Sequence, residues 1–423
     1  MKPADLLVVN AGELVTCAGF SARPARGTAQ GHAQVLKGGG LAIVGSRIVD
    51  VGASTRIARD WQCAPGAIVD ARGGVVMPGF VDCHTHLLFA QDRADEWEER
   101  MLGRPYLEIL RAGGGILRTV KATRAAARDV LLTAGRRWAW RAIAQGTTTL
   151  EMKSGYCLDH DGELRLLEVA AELGRELPIE TVRTFLGAHV VPAEMRERRE
   201  EYLAIILATQ AEAKRRDLAE FADVFCEAEA FTLDETTRLL EHARSLGYAL
   251  KLHAEQFTAS GAARLGARLG ATSLDHLEHV DDATLAELSA LDAPPVAVLL
   301  PGVPFHLGLP DRAPATRLRD HGVPLALATD FNPGSSFTLS MPMVIALACR
   351  TLGLSVAEAI VASTINAAHA LGRGAVTGSL EPGKRADVIV LDVPDHRWLG
   401  YAFGWNPVRA VVAAGQHVVA ETC

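Results

Sequence analysis

Val75-Val76-Met77-Pro78-Gly79-Phe80-Val81-Asp82-Cys83-His84-Thr85-His86 is the stretch on which the reading of this chain turns. An apolar run, a Pro-Gly break and a second short apolar run lead into two histidines two residues apart. A strand sends alternate side chains to opposite faces, so Asp82, His84 and His86 share one side while Cys83 and Thr85 point away. Two imidazoles so placed can grip one metal ion. From the triplet alone, a polar strand end with solvated histidines reads about as well. Three later residues shift the balance, because His253, His276 and Asp330 each close an apolar, strand-like run of their own.

The strand with this ending is the first of eight. Strand candidates fall at 80–84, 147–151, 180–185, 222–226, 249–253, 272–276, 296–300 and 325–329, with helical patterns at 118–145, 162–176, 197–216, 233–246 and 281–291 between them. Eight buried-type strands, each followed by a crossover segment, predict an α/β fold, a TIM-like (β/α)8 barrel of parallel strands. A doubly wound sheet is the competing arrangement, but no G-x-G-x-x-G opens a helix after the first strand. Gly113-Gly114-Gly115 comes some thirty residues later and reads as a mobile loop entering a helix.

Both ends of the chain have a different texture. Leu6-Leu7-Val8-Val9, Leu41-Ala42-Ile43-Val44, 47–51 and 67–70 are short strand candidates split by glycine, and 387–391, 408–412 and 417–419 return to the same pattern. The stretch 21–40, rich in Gly, Ala and Arg, reads as a surface loop. Residues 1–77 and 373–423 are therefore expected to build one small β-sandwich domain beside a barrel spanning 78–372.

Composition excludes several classes. A 49% hydrophobic, 22% charged chain of 423 residues has ample core for a barrel plus a smaller domain. A formal charge of −7 without a Lys/Arg block argues against nucleic acid as a partner. No run approaches the roughly 20 apolar residues of a membrane span, and the first residues lack the apolar stretch of a signal peptide. The seven cysteines are odd in number, scattered and never C-x-x-C, as expected of reduced thiols in a cytoplasmic protein.

Barrel sites are assembled at the C-terminal ends of the strands. Those ends bring together His84 and His86, the stretch 151–156, His189, His253, His276 and Asp330. Three imidazoles and one carboxylate suit zinc or iron. The fourth strand ends Val224-Phe225-Cys226-Glu227, with no lysine to be carboxylated into a bridge, so one ion per chain is expected rather than two. Such an ion furnishes a hydroxide nucleophile near neutral pH. Asp330 is then placed to move a proton to a leaving nitrogen, and His276 to steady an oxyanion or shuttle the proton. A helix cap is the plainer reading of Asp330, but residues 328–336 pack too many polar and turn residues for capping alone. His160, His242, His321, His369 and His396 read as surface residues, and Trp97, Trp138 and Trp140 as core or interface.

His84-Thr85-His86, the histidine on strand five, the aspartate on strand eight and the cassette Gly378-Ser379-Leu380-Glu381-Pro382-Gly383-Lys384-Arg385-Ala386-Asp387 together resemble the amidohydrolase superfamily. Asp92-Arg93-Ala94, Gly113 to Leu117, Glu151-Met152-Lys153-Ser154-Gly155-Tyr156, Leu186-Gly187-Ala188-His189, Lys251-Leu252-His253-Ala254-Glu255-Gln256 and 328–336 are similar, within it, to the imidazolonepropionase family of histidine degradation. The resemblance runs over the whole chain. It implies metal ligation by His84, His86, His253 and Asp330, and substrate contacts from Arg93, Tyr156, His189, Gln256, Asn332, Gly334 and Ser335. It implies hydrolysis of the ring amide of a small substrate, imidazolone propionate, and a homodimer. A guanidinium such as Arg93 suits the substrate's carboxylate, although a salt bridge to Asp92, Asp95 or Glu96 is its plainer role. Glu255, two residues past His253, is placed to tune a ligand or assist proton transfer. The chain departs from the family pattern at Cys157, where glycine is usual, and at Val303-Pro304-Phe305-His306. The rival readings are a deaminase of the same superfamily acting on a heterocyclic ring, and a metal-binding protein without turnover.

Overall fold

The computed structural model describes residues 1–104, 108 and 113–420, which leaves Cys423 outside. Eight parallel strands stand side by side in chain order: β1 (Phe80–Asp82), β2 (Thr147–Lys153), β3 (Glu180–Ala188), β4 (Phe221–Cys226), β5 (Ala249–Ala254), β6 (Ser273–His276), β7 (Val296–Leu299) and β8 (Leu325–Leu327). Helices such as His160–Glu176, Arg199–Arg215 and Leu233–Ser245 form the crossovers. The last of these begins where the sequence dictates. Thr232 and Glu235 form a reciprocal capping box that satisfies free N–H groups of the first turn. The pattern read as one helix over 118–145 is two, Ile116–Ala125 and Arg128–Ile143. The break falls where Arg165 donates to the Thr123 and Arg124 carbonyls and so satisfies the end of the first helix.

Among the described residues β1 and β8 share no ladder. The ring closes instead just beyond their ends. Thr329 donates to Asp82 through its N–H and its hydroxyl, at 3.0 and 2.7 Å. Asp330 N–H donates to the His84 carbonyl at 3.0 Å, and His86 N–H to that of Phe331 at 2.9 Å.

Strands from both ends of the chain make three further sheets among the described residues, the smallest a parallel pair of Lys2–Pro3 and Trp61–Gln62. Another has six strands in the order Gln416–Ala420, Val408–Ala413, Val388–Leu391, Val75–Pro78, Glu13–Val15 and Val35–Lys37. The third has four, ordered Arg47–Ala53, Gly39–Val44, Leu6–Val9 and Ile68–Asp70. Leu6, Val8, Leu41 and Ile43 of the four-stranded sheet pack with Leu14, Val76, Val388 and Val412 of the six-stranded one in one core, which makes these two a sandwich. Val75–Pro78 ends two residues before β1 begins, so the chain passes from sandwich to barrel almost without a linker.

The stretch 21–40 is more than a surface loop. Residues 27–31 form a 3-10 turn, and buried Gln30 bonds to Val323 and Leu325 at the foot of β8. Asn366 ties the same turn down by accepting from Ala25 N–H and donating to the Leu325 carbonyl. The run of small residues read as a surface loop because the partners of Gln30, and Asn366, lie far along the chain. No helix among the described residues is long and apolar enough to cross a membrane.

Candidate metal centre and active site

His84 and His86 follow β1, His253 stands near the end of β5, and Asp330 follows β8. One ring nitrogen from each of the three histidines lies within 4.8 Å of the others. Asp330 Oδ1 is 3.4 Å from His84 Nε2 and 3.3 Å from His86 Nε2. Asp330 Oδ1, His84 Nε2 and His253 Nε2 are buried and make no hydrogen bond. Buried polar atoms left so are costly unless something else fills their lone pairs. Donors about 2.0–2.1 Å from a tetrahedral ion stand about 3.4 Å apart, so the residues present fit one metal ion. Asp330 holds this position with a left-handed backbone, φ +49°, a strain that clusters at functional sites.

Beneath these ligands the barrel interior is charged. Asp275 Oδ2 accepts from His84 Nδ1 at 2.6 Å, and Asp223 Oδ2 lies 3.0 Å from His253 Nδ1. Both carboxylates meet lysines. Lys153 Nζ is 2.7 Å from Asp223 and 3.1 Å from Glu151, and Lys251 Nζ is 3.3 Å from Glu151 and 3.7 Å from Asp275. All five side chains are fully buried. Partners on the far nitrogen of a ligating histidine fix its tautomer and turn the other nitrogen toward the ion. Burial and Lys153 work against a proton on His84, but Asp275 and Asp330 outweigh them and hold its pKa at about 9. Burial takes His253 down to about 3. Burial would raise Asp330, yet His84 and His86 keep it well below the ordinary carboxylate range.

Of the remaining expected site residues, Tyr156, His189, His276 and the loop 330–335, with Arg93 over it, surround the donor set. Arg93 makes no ion pair among the described residues, since Asp95 and Glu96 face Arg118 instead. Its guanidinium lies over Gly334, where any Cβ would fall 1.4 Å from Nη2. Tyr156, 2% exposed, has its ring centroid 5.8 Å from that of His86. His189 stacks on His86 with ring centroids 5.0 Å apart, and burial holds its pKa well below the usual value. Ser335 donates to Asp330 Oδ2 at 3.3 Å. The Asn332 amide is spent within its own loop, donating to the Asp330 carbonyl and Ser335 Oγ and accepting from Gly334 and Ser335 N–H. The His276 ring centroid lies 5.7 Å from that of His84 and 5.4 Å from that of His253. Glu255 turns toward the helix Ala262–Leu269, accepting from Ala263 N–H at 3.4 Å with Oε1 while Oε2 is buried and unpartnered; burial raises its pKa to about 7, and Gln256 beside it is buried.

Sequence reasoning did not single out Asp223, Asp275, Lys153 or Lys251. A signal was present, because Lys251 interrupts the apolar Ala249-Leu250-Lys251-Leu252 two residues before a ligand, on the same face. A lysine there must meet carboxylates. The histidines read as surface residues (His160, His242, His321, His369, His396) are each half-buried and hydrogen-bonded. Cys157 has an ordinary backbone conformation, so the side chain in place of glycine adds no strain there.

The barrel and the donor set at its mouth are those of a hydrolase, and the chain belongs to the amidohydrolase family, whose model matches residues 75–418. Its relatives narrow this further, to imidazolonepropionases. That of Symbiobacterium thermophilum is 46% identical over 424 residues, covering 100% of this chain and 99% of the other. That of Chloroflexus aggregans is 44% identical over 429 residues, covering 99% of each. Among solved structures, an adenosine deaminase from Xanthomonas campestris with bound zinc matches with a TM-score of 0.73, covering 99% of this chain and 94% of that one. At 22% identity that likeness shows the shared fold.

Proposed function

We propose that this chain hydrolyses the ring amide C–N bond of 4-imidazolone-5-propanoate to N-formimidoyl-L-glutamate, the third step in degrading L-histidine to L-glutamate. The full-length likeness to imidazolonepropionases carries the reading. Arg93 supports it, as a cation at the mouth with no carboxylate of its own among the described residues, and such a group suits the propanoate. Tyr156 and Ser335 offer hydroxyls to the substrate, and His189 and Gln256 read the ring. Asn332 acts through the loop it organises, which keeps the bare face of Gly334 beneath Arg93.

His84, His86, His253 and Asp330 would hold one ion per chain, zinc or iron. When bound, the ion supplies Lewis acidity and a hydroxide nucleophile near neutral pH. Asp330 keeps Oδ1 among the ligands while Oδ2 faces Ser335, so its second oxygen is free to carry a proton to the departing nitrogen. His276 stands over the ligand histidines to steady the developing oxyanion. Glu255, two residues past His253, assists proton transfer in this reading. The domain limits 1–77 with 373–423 and 78–372, a cytoplasmic location and a homodimer complete the proposal. Exposed Trp97, Val130 and Trp140 on helices outside the barrel support the dimer, which ultracentrifugation tests.

The test of the reaction follows the loss of ultraviolet absorbance of fresh imidazolone propionate on adding metal-analysed protein. Asp330→Asn is expected to abolish turnover, and Arg93→Ala to raise KM at least about tenfold, by loss of one charge-assisted pair. A protein that holds its metal but leaves the substrate intact would refute the reading.

A further inference from the structure

Between β2 and the helix His160–Glu176 the backbone turns sharply. Gly155 has φ +109°, and a Cβ there would lie 2.8 Å from the Leu186 carbonyl oxygen, so glycine is required. Leu158 is left-handed too, at φ +55° with a side chain, a conformation that persists only where its surroundings enforce it. Two side chains enforce it. The Glu163 carboxylate, buried at 2% exposure, accepts from the N–H groups of Gly155, Cys157 and Leu158 at 2.7, 2.8 and 2.9 Å. From the opposite polarity, Arg124 donates to the Cys157 and Leu158 carbonyls. Glu163 has no ion-pair partner among the described residues, so these backbone bonds replace its hydration.

The turn delivers two groups to the mouth. Tyr156 is part of it. The Gly155 carbonyl, which can only accept, faces His189 Nδ1 at 3.0 Å. The proton of His189 therefore sits on Nδ1, and Nε2 remains an acceptor. We propose that Glu163 is a positioning residue for the reaction: its carboxylate holds residues 154–158 so that Tyr156 meets the substrate and His189 offers Nε2 to a ring N–H. The inference rests on the substrate reading above and deepens it, because it assigns a donor to the part of the ligand that His189 reads.

Glu163→Gln keeps the shape but turns an amide NH2 toward backbone N–H groups. In the metal-loaded full-length protein, KM for imidazolone propionate is expected to rise about tenfold, the worth of one charge-assisted bond, with kcat within about threefold. Tyr156→Phe also raises KM, and the double variant is expected to match the larger single effect, because Glu163 works through the turn that carries Tyr156. An unchanged KM, or fully additive effects, would overturn the proposal. Amide hydrogen exchange on the unsubstituted protein tests the clamp even if the variant does not fold. The Gly155, Cys157 and Leu158 amides are expected to exchange slowly without substrate, and rapid exchange overturns the proposal. Slow exchange in a protein that does not turn over imidazolone propionate would support the clamp and refute only the substrate reading.

Discussion

Asp275 holds the His84 ring from below. One of its oxygens accepts a hydrogen bond from His84 Nδ1 and faces both buried lysines, while the other accepts from Ser273 at 2.6 Å. Asp275→Asn keeps the size but not the charge, and metal affinity is expected to fall about 10–100-fold, as for other outer-shell partners of a ligating histidine. Competition with a chromophoric chelator measures this, and unchanged affinity would mean that packing alone orients the ring. That the four candidate ligands come together was legible in the sequence. His84, His86, His253 and Asp330 stand at the ends of apolar strands, where a barrel gathers its site, and alternation along a strand puts both histidines of the triplet on one face. Lys251 gave a sign of charges below them, but which groups pair there was not legible, because a barrel interior is made by strands far apart in sequence. Lys153 meets Asp223 across 70 residues and His84 meets Asp275 across 191, and no local pattern links such pairs.

At the scale of elements, the barrel strands were legible to within a few residues because each is a buried apolar run bounded by turn residues, whereas the exposed Val35–Lys37 strand fell inside a stretch read as a loop. Helix ends were less so where the terminating partner comes from elsewhere, as Arg165 does at Ala125. The short helix Ser54–Asp60 shows how much one side chain can organise. Asp50, on the preceding strand, accepts two bonds from Arg56 and one from Trp61 Nε1. Its bonds to Arg56 hold its pKa at about 2, below the usual 3.8. A carboxylate whose pKa is depressed by folding stabilises the fold above its unfolded value and loses that effect as pH falls through the folded one. Asp50→Asn is therefore expected to cost about 1 kcal/mol at pH 7, allowing for solvent screening. The gap between the two proteins in chemical denaturation should narrow from about pH 4 toward pH 2. A gap independent of pH would show that the bonds, and not the charge, matter.

Across the whole molecule, the foot of the barrel is tied to the chain that leads back to the sandwich. Arg373 bonds to Glu180 and Glu220, and Arg385 to Glu180 and Asp387. Glu180 opens β3 at the end opposite the mouth. Glu180→Ala would leave both half-buried guanidinium groups short of a partner. It is expected to destabilise the protein by roughly 2 kcal/mol, with kcat and KM unchanged at temperatures well below unfolding. A change in KM would mean that the foot and the mouth communicate. The seam between β1 and β8 has the opposite character. With no ladder there, the ring is fastened by the very segments that carry His84, His86 and Asp330. Whatever binds those three residues also clasps the two ends of the barrel, so its binding free energy becomes part of the energy that keeps the cylinder shut. Were an ion held there, site and wall would share one buckle, and a chelator that removed it would loosen the seam as well as empty the site.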